Sequence, residues 1–189
     1  MPGGCDKLTP SALLESVASM PKIQKPGVAD VPLMKALLDD AAAQGHVLPR
    51  ESHEIYENLR DFLICRPPAG GVAGMVALHI DGADLAEVRS LVVSTAWRGQ
   101  GIGLMLVRAA VDEARELGIR RVYALTRIPD FFVKLGFVVI DRMDLPSKVF
   151  KDCSRCPMLP QCDETALIIE TGLAPKTAAV GTEPKGETA

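Results

Sequence analysis

No stretch of the 189-residue chain approaches the roughly 18 consecutive apolar residues of a membrane-spanning helix. The start, MPGGCDKLTPSALLES, lacks the positive segment and apolar run of an export leader. Blocks of like charge are also missing. The 21 Lys and Arg and 24 Asp and Glu are intermixed and leave a net charge of -3, so no basic field points to nucleic acid or an acidic membrane surface. There is no second CxxC beside Cys153 and Cys156, and five cysteines, an odd number, do not make a disulfide framework. These absences predict a cytoplasmic protein with reduced thiols, whose partners are small molecules rather than nucleic acid or a membrane.

With 48% hydrophobic and 24% charged residues, the length suits one domain with a substantial core. Residues 1–20 are poorly patterned, 21–171 read as a single domain, and 172–189, rich in Pro, Gly, Thr and Lys/Glu, read as a disordered tail. The segment ADVPLMKALLDDAAAQGH predicts a helix with Asp30 as cap, Pro32 in the first turn, a stripe of Met34, Leu37, Leu38 and Ala41, and Gly45 at its end. A second helix is expected over Glu51 to Arg60. FLIC (62–65), PPAGG and VAGMVALHI (72–80) read as strand, turn and strand. DGAD and a strand from Leu85 to Val93 complete an antiparallel meander, because such short turns cannot carry a parallel crossover.

AEVRSLVVS is followed by TAWRGQGIGLMLVRAAVDEARELG, in which Ile102, Leu106, Ala110, Ala114 and Leu117 share one helical face. Gly118 stops the helix and RRVYALT (120–126) returns as a strand. The loop of this unit is glycine-rich where the helix begins. Gly99, Gly101 and Gly103 leave backbone N–H groups uncovered beside a positive helix terminus, an arrangement that suits a pyrophosphate. A dinucleotide fingerprint would need glycine where Leu104 stands, and a phosphate-binding P-loop would need Gly-Lys-Ser/Thr, which is absent.

The run Arg98-Gly99-Gln100-Gly101-Ile102-Gly103 resembles the R/Q-x-x-G-x-G/A coenzyme A loop of the GNAT acetyltransferases and lies between the same elements. FFVKLGF (131–137) is similar to the helix-turn-strand that follows in that family. DVPLMKALLDDAAAQGHVLPR, LAEVRSLVVSTAWRGQGIG, ALTRIPDFFVKLGF and LPSKVFKDCSRCPMLPQCDETA together resemble the short bacterial N-acetylglutamate synthases, over about residues 22–170. That resemblance implies an α/β (α+β) acyl-CoA N-acyltransferase fold: a twisted, mainly antiparallel sheet with helices on both faces, whose strands 85–93 and 120–126 part to admit acetyl-CoA. It implies acetyl transfer to the α-amine of L-glutamate, the opening step of arginine biosynthesis, by direct attack and with no metal required. L-glutamine, another amino acid or another small amine are alternative acceptors. A non-catalytic CoA-binding or metal-responsive module is an alternative of another class. The larger synthases carry an arginine-binding kinase-like domain for which 189 residues are expected to leave no room. Apolar strand edges often pair subunits in this superfamily, so a homodimer is carried as an alternative to a monomer.

Acetyl transfer needs a neutral amine, a stabilised oxyanion and a leaving thiolate. The resemblance points to Glu87 as base and to a backbone N–H near Leu91, Val92 and Val93 for the oxyanion, with the loop from Arg98 to Gly103 holding the pyrophosphate. Where many members carry a tyrosine acid, this chain has Phe132, and a thiolate is stable enough to leave unaided. Tyr123 and Tyr56 read as packed aromatics. A dicarboxylate acceptor calls for cations, and Arg50, Arg89, Arg127 and Lys134 are the candidates, Arg89 sharing a strand face with Glu87. His46, His53 and His79 read as surface or packed histidines. Cys153, Cys156 and Cys162 supply three thiolates where zinc needs four ligands, so loop packing is favoured over metal or redox roles. Cys65 closes a strand and Cys5 lies in the N-terminal segment.

Overall fold

Alternating apolar residues over 62–66, 74–80 and 85–93 bury one row of side chains on each face, and strands of that kind must be covered on both sides. A computed structural model describes residues 20–145, 153–156 and 161–174. Residues 1–19, with Cys5, and most of the expected tail lie outside them. The helices are α1 (Val31–Ala43), α2 (Ser52–Glu57), α3 (Ile102–Glu116) and α4 (Pro129–Val133). The strands are β1 (Lys22–Gln24), β2 (Phe62–Arg66), β3 (Gly74–Ile80), β4 (Leu85–Val93), β5 (Arg121–Thr126), β6 (Val138–Val139) and β7 (Thr165–Glu170). They form one sheet in the order β1-β2-β3-β4-β5-β7-β6, antiparallel throughout except between β4 and β5. The mainly antiparallel sheet expected from the sequence is therefore present. No described helix is long and apolar enough to cross a membrane.

The two faces hold two cores. Leu106, Val107 and Ala110 of α3 pack on Leu63, Val76, Leu78, Ala86 and Val88. Met34, Leu38 and Ala41 of α1, with Ile55 of α2, pack on Phe62, Ile64, Met75 and Ala77. Strict alternation would send Val92 to the same face as Ala86 and Val88, yet it joins the α1 core. The cause is a bulge. Ala77 pairs with Arg89 and Met75 with Val92, so β4 sets Ser90 and Leu91 against the single residue Val76. Ser90 turns through the left-handed region at φ 53, unusual for a side chain other than glycine.

One helix boundary and one cap differ from expectation. Asp30 stands at the N-cap position of α1, but its side chain does not bond the helix's first turn: its Oδ2 accepts the Gly27 N–H at 2.9 Å and its Oδ1 pairs with Arg66 at 2.5 Å, closing a single 3-10 turn that precedes the helix. The helix expected over 51–60 runs only from Ser52 to Glu57. Glu51 sits before it, donating its N–H to the Glu54 carboxylate. Asn58 then donates its side-chain amide to the Glu54 carbonyl at 2.8 Å, and the chain leaves the helical path there.

The Arg66 guanidinium and the Gly27 N–H hold the Asp30 carboxyl below the usual carboxylate range. A group whose folded pKa is depressed stabilises fully above its unfolded pKa and loses that contribution as pH falls through the folded value. Asp30→Asn should therefore cost about 1 kcal/mol near neutral pH, and the difference from wild type should close as pH falls below the ordinary carboxylate range and through the depressed Asp30 value. Urea denaturation at a series of pH values measures this. A gap that is constant with pH would remove the ion pair as its cause.

Candidate active site

β4 has nine residues, but only Leu85, Ala86 and Glu87 pair with β5, opposite Arg121, Val122 and Tyr123. Beyond Glu87 the two strands part, and the edge of β4 that faces β5 has no ladder partner among the described residues. A cavity of about 540 Å³ occupies the opening. Leu91, Val92 and Val93 line it from β4, and Leu125 and Thr126 from the end of β5. Phe131 and Phe132 of α4 close one side, their rings edge to face at 5.2 Å.

Glu87 opens into this cavity although only 4% of it is exposed. It stands between His79 on β3 and Tyr123 on β5, its register partners. Arg89 also lines the cavity, and its guanidinium lies 3.9 Å from the Glu87 carboxylate. Its other terminal nitrogen is 3.9 Å from Asp61, which in turn meets His79 Nδ1 at 2.7 Å. The sequence reading placed Glu87 and Arg89 on one strand face, as found. Asp61 and His79 were not anticipated as their neighbours: the helix expected over 51–60 stops short of Asp61, which a 3-10 turn, Leu59–Asp61, delivers instead.

The other cations differ in what they already hold. Arg50 lines the cavity and donates Nε to the Ser90 hydroxyl at 3.1 Å, a contact that exists because the bulge turns Ser90 towards it. Arg127 donates Nε to Asp163 and a terminal nitrogen to the Gly45 carbonyl, both at 2.7 Å, fastening the end of α1 to the segment before β7. That carboxylate raises the Arg127 pKa, and Asp163 is lowered in return. Lys134 stands apart from the other candidate cations. It follows the five-residue helix α4, which turns it to the exposed surface, and it does not line the cavity.

At the opposite end the chain turns into α3. Gly99 and Gly101 take φ 77 and 78, a region in which a side chain is strained. Gly101 stands at the N-terminus of α3 with no side chain capping it, so the first N–H groups of a 15-residue helix face outward. Gly103 lines the cavity, and Arg98 lines it while donating Nε to the Val93 carbonyl at 3.2 Å. Gln100 donates its side-chain amide to the Ala96 carbonyl. The Ile102 side chain is 2% exposed and belongs to the α3 core, so only its backbone can serve a ligand.

Tyr123 is buried and donates its hydroxyl to Asp81, while Tyr56 is an exposed residue of α2; neither of the chain's two tyrosines lines the cavity. The cysteines lie nearer than loop packing implied. Cys153 and Cys156 both line the cavity, as do His46 and Glu164. Cys162 Sγ points instead to Glu164 Oε2 at 3.9 Å. Among the described residues no group of three His, Cys, Asp or Glu converges to hold a metal ion. Asp152, Pro157 and Pro160 lie outside those residues. A CxxC spacing alone did not reveal which wall the thiols would face.

Residues 34–137 match the acetyltransferase (GNAT) family. An uncharacterized N-acetyltransferase from Chlorobaculum tepidum is 34% identical over 141 residues, 75% of this chain and 90% of that protein. An amino-acid acetyltransferase from Mycobacterium tuberculosis is 33% identical over 137 residues, 71% of this chain and 78% of that protein. The crystal structure of N-acetylglutamate synthase from Neisseria gonorrhoeae, complexed with coenzyme A and N-acetyl-glutamate, superposes with a TM-score of 0.73 at 26% identity. The match covers 80% of this chain and 35% of that longer one.

The glycine loop makes two substitutions differ in sign. Gly101→Ala meets open space but a left-handed backbone, and should cost about 1 kcal/mol. Gly103→Ala has ordinary helical backbone, and its Cβ would rest 3.5 Å from Phe131 Cζ; it should be neutral or stabilise by up to about 1 kcal/mol. Urea denaturation of both variants checks this, and equal losses would refute the distinction.

Proposed function

The chain belongs to the GNAT family of acetyltransferases, and we propose that it moves the acetyl group of acetyl-CoA to the α-amine of L-glutamate. The observation that carries this reading is a buried carboxylate, Glu87, set into the opening between β4 and β5 with Arg50, Arg89 and Arg127 along the same cavity. A cavity with one carboxylate and several guanidinium groups suits an acceptor that brings an amine and more than one acid group. Relatives named amino-acid acetyltransferase, and a synthase structure holding CoA and N-acetyl-glutamate, support it.

In this reading the loop from Arg98 to Gly103 holds the pyrophosphate, through uncovered N–H groups and the positive end of α3. The thioester then lies along β4, where a backbone N–H near Leu91 to Val93 meets the carbonyl oxygen as it becomes an oxyanion. Glu87, directly or through water, takes a proton from the acceptor's ammonium. The free amine attacks the thioester carbon, the C–S bond breaks with the sulfur departing as the CoA thiolate, and the second proton of the amine passes through solvent to that thiolate, leaving a neutral amide and the CoA thiol. No tyrosine is needed at the Phe132 position, because a thiolate is a far weaker base than an alkoxide or amide. The acetyl group passes directly from sulfur to nitrogen.

The test is release of CoA thiol with L-glutamate, L-glutamine and unrelated amines as acceptors. L-glutamate should give the highest kcat/KM; a clear preference for L-glutamine or another amine would overturn the assignment of acceptor, and no release with any would overturn the enzymatic reading. Glu87→Gln should lower kcat about 100-fold and flatten the rise of rate with pH while acetyl-CoA affinity stays within a factor of three, the range usual for loss of a general base. Arg50→Ala should raise the acceptor KM about tenfold, and Gly103→Ala should weaken acetyl-CoA binding without loss of stability.

A further inference from the structure

We infer that Arg89 is the receptor for the acceptor's α-carboxylate, so that this enzyme takes free α-amino acids and discriminates against the same amines lacking that carboxylate. The inference rests on the acetyltransferase reading above and deepens it. It holds whether the preferred acceptor is glutamate, glutamine or another amino acid.

The argument begins with hydrogen-bonding capacity. A guanidinium has five N–H donors, and a buried cation is stable only when close partners replace its water. Among the cations of the cavity, Arg127 holds two partners at 2.7 Å, Arg98 a carbonyl at 3.2 Å and Arg50 the Ser90 hydroxyl at 3.1 Å. The Arg89 side chain is 16% exposed, yet its two carboxylate neighbours stand off at 3.9 Å. Its Nε is buried without a hydrogen-bond partner among the described residues. Arg89 is thus a largely buried cation that lines the cavity, and among the described residues the carboxylates near its terminal nitrogens stand at 3.9 Å rather than at hydrogen-bond distance. A planar carboxylate accepting two parallel N–H bonds is the ligand that meets this deficit best.

Spacing selects which carboxylate. The Glu87 and Arg89 side chains share one face of β4, with Glu87 Oε2 and an Arg89 terminal nitrogen 3.9 Å apart. In an α-amino acid the amine and the carboxylate hang from one carbon, with nitrogen and oxygen about 3 Å apart. One acceptor can therefore set its ammonium against Glu87 and its carboxylate against Arg89. A side-chain carboxylate, several bonds away, reaches Arg89 with the α-amine at Glu87 only when the acceptor folds back on itself and gives up conformational freedom. Otherwise it is left for the Arg50 and Arg127 side of the cavity.

Asp61 is the positioning residue. It lies 3.9 Å from one terminal nitrogen of Arg89, Glu87 lying 3.9 Å from the other, and is itself held by His79 Nδ1 at 2.7 Å. The guanidinium is thereby held with a carboxylate near each of its terminal nitrogens, which fixes where it meets the acceptor.

The experiment compares kcat/KM for matched acceptors with and without the α-carboxylate: L-glutamate against 4-aminobutyrate, and L-glutamine against 4-aminobutanamide. The wild-type enzyme should prefer the amino acid in each pair by about 100-fold, the scale of a buried charge-assisted pair. Arg89→Gln should lose about that factor on the amino acids, change the decarboxylated amines less than threefold, and leave acetyl-CoA affinity by calorimetry unaltered. Arg89→Lys should recover part of the loss. Asp61→Asn should raise the amino-acid KM with kcat within threefold, and leave the decarboxylated amines unaffected. Equal losses on both members of a pair, or undiminished discrimination in Arg89→Gln, would overturn the assignment. A wild-type preference for glutamine with its α-carboxylate would refute the glutamate reading and leave this one standing. If no acceptor turns over, calorimetry of each pair against the CoA-loaded protein decides: preference for the amino acid that Arg89→Gln abolishes supports the assignment, and absence of binding overturns it.

Discussion

Everything distinctive about this protein depends on β4 leaving β5 after three paired residues. A parallel pair normally continues its ladder to the ends of both strands, because each unpaired backbone group removed from water costs stability. Here the ladder ends at Glu87 and Tyr123, and the bulge at Ser90 and Leu91 changes which way β4 presents its side chains. The bulge keeps β4 joined to β3, so the sheet survives on that side while opening on the other. The opening is the cavity, and the glycine loop that follows β4 arrives at its rim. A single irregularity of one strand thus brings together a carboxylate, an edge of unused backbone groups and a helix N-terminus.

Electrostatics then divides the arginines by task. Arg127 is fastened to Asp163 and to the Gly45 carbonyl, joining segments 82 and 36 residues distant in sequence, and so shapes the cavity. Arg50 is tied to the strained bulge residue Ser90. Arg89 has no such close bond among the described residues, where its terminal nitrogens lie 3.9 Å from Glu87 and from Asp61. Counting arginines in the sequence could not separate these cases, since all three are the same residue with the same charge. What separates them is how many of their donors the fold has already satisfied.

The cysteine segment shows a similar limit. Its spacing invites a metal, and ligand count argued against one from the sequence alone. Two of its thiols line the cavity beside Glu164 while the third turns to the Glu164 carboxylate. The segment is therefore part of the cavity's wall, and its chemistry belongs with whatever the cavity holds.

Local pattern was enough for much of the architecture. The meander of β2, β3 and β4, the amphipathic helix α3, the glycine loop before it and the return through β5 could all be read from periodicity and turn residues, because those signals are set by neighbours within a few positions. The family resemblance and the choice of Glu87 and the loop from Arg98 to Gly103 also came from contiguous residues. The extent of α2, the role of Asp30, the exposure of Lys134 and the company of Asp61 and His79 did not. Each depends on a side chain from a distant segment or on a turn whose direction only packing selects. The sequence by itself determined the elements and the chemistry they carry, because helix and strand periods and the loop's glycines are local properties of the chain. The tertiary structure alone decided which cation is left unsatisfied beside Glu87, because that follows from how segments far apart in sequence use up one another's hydrogen bonds.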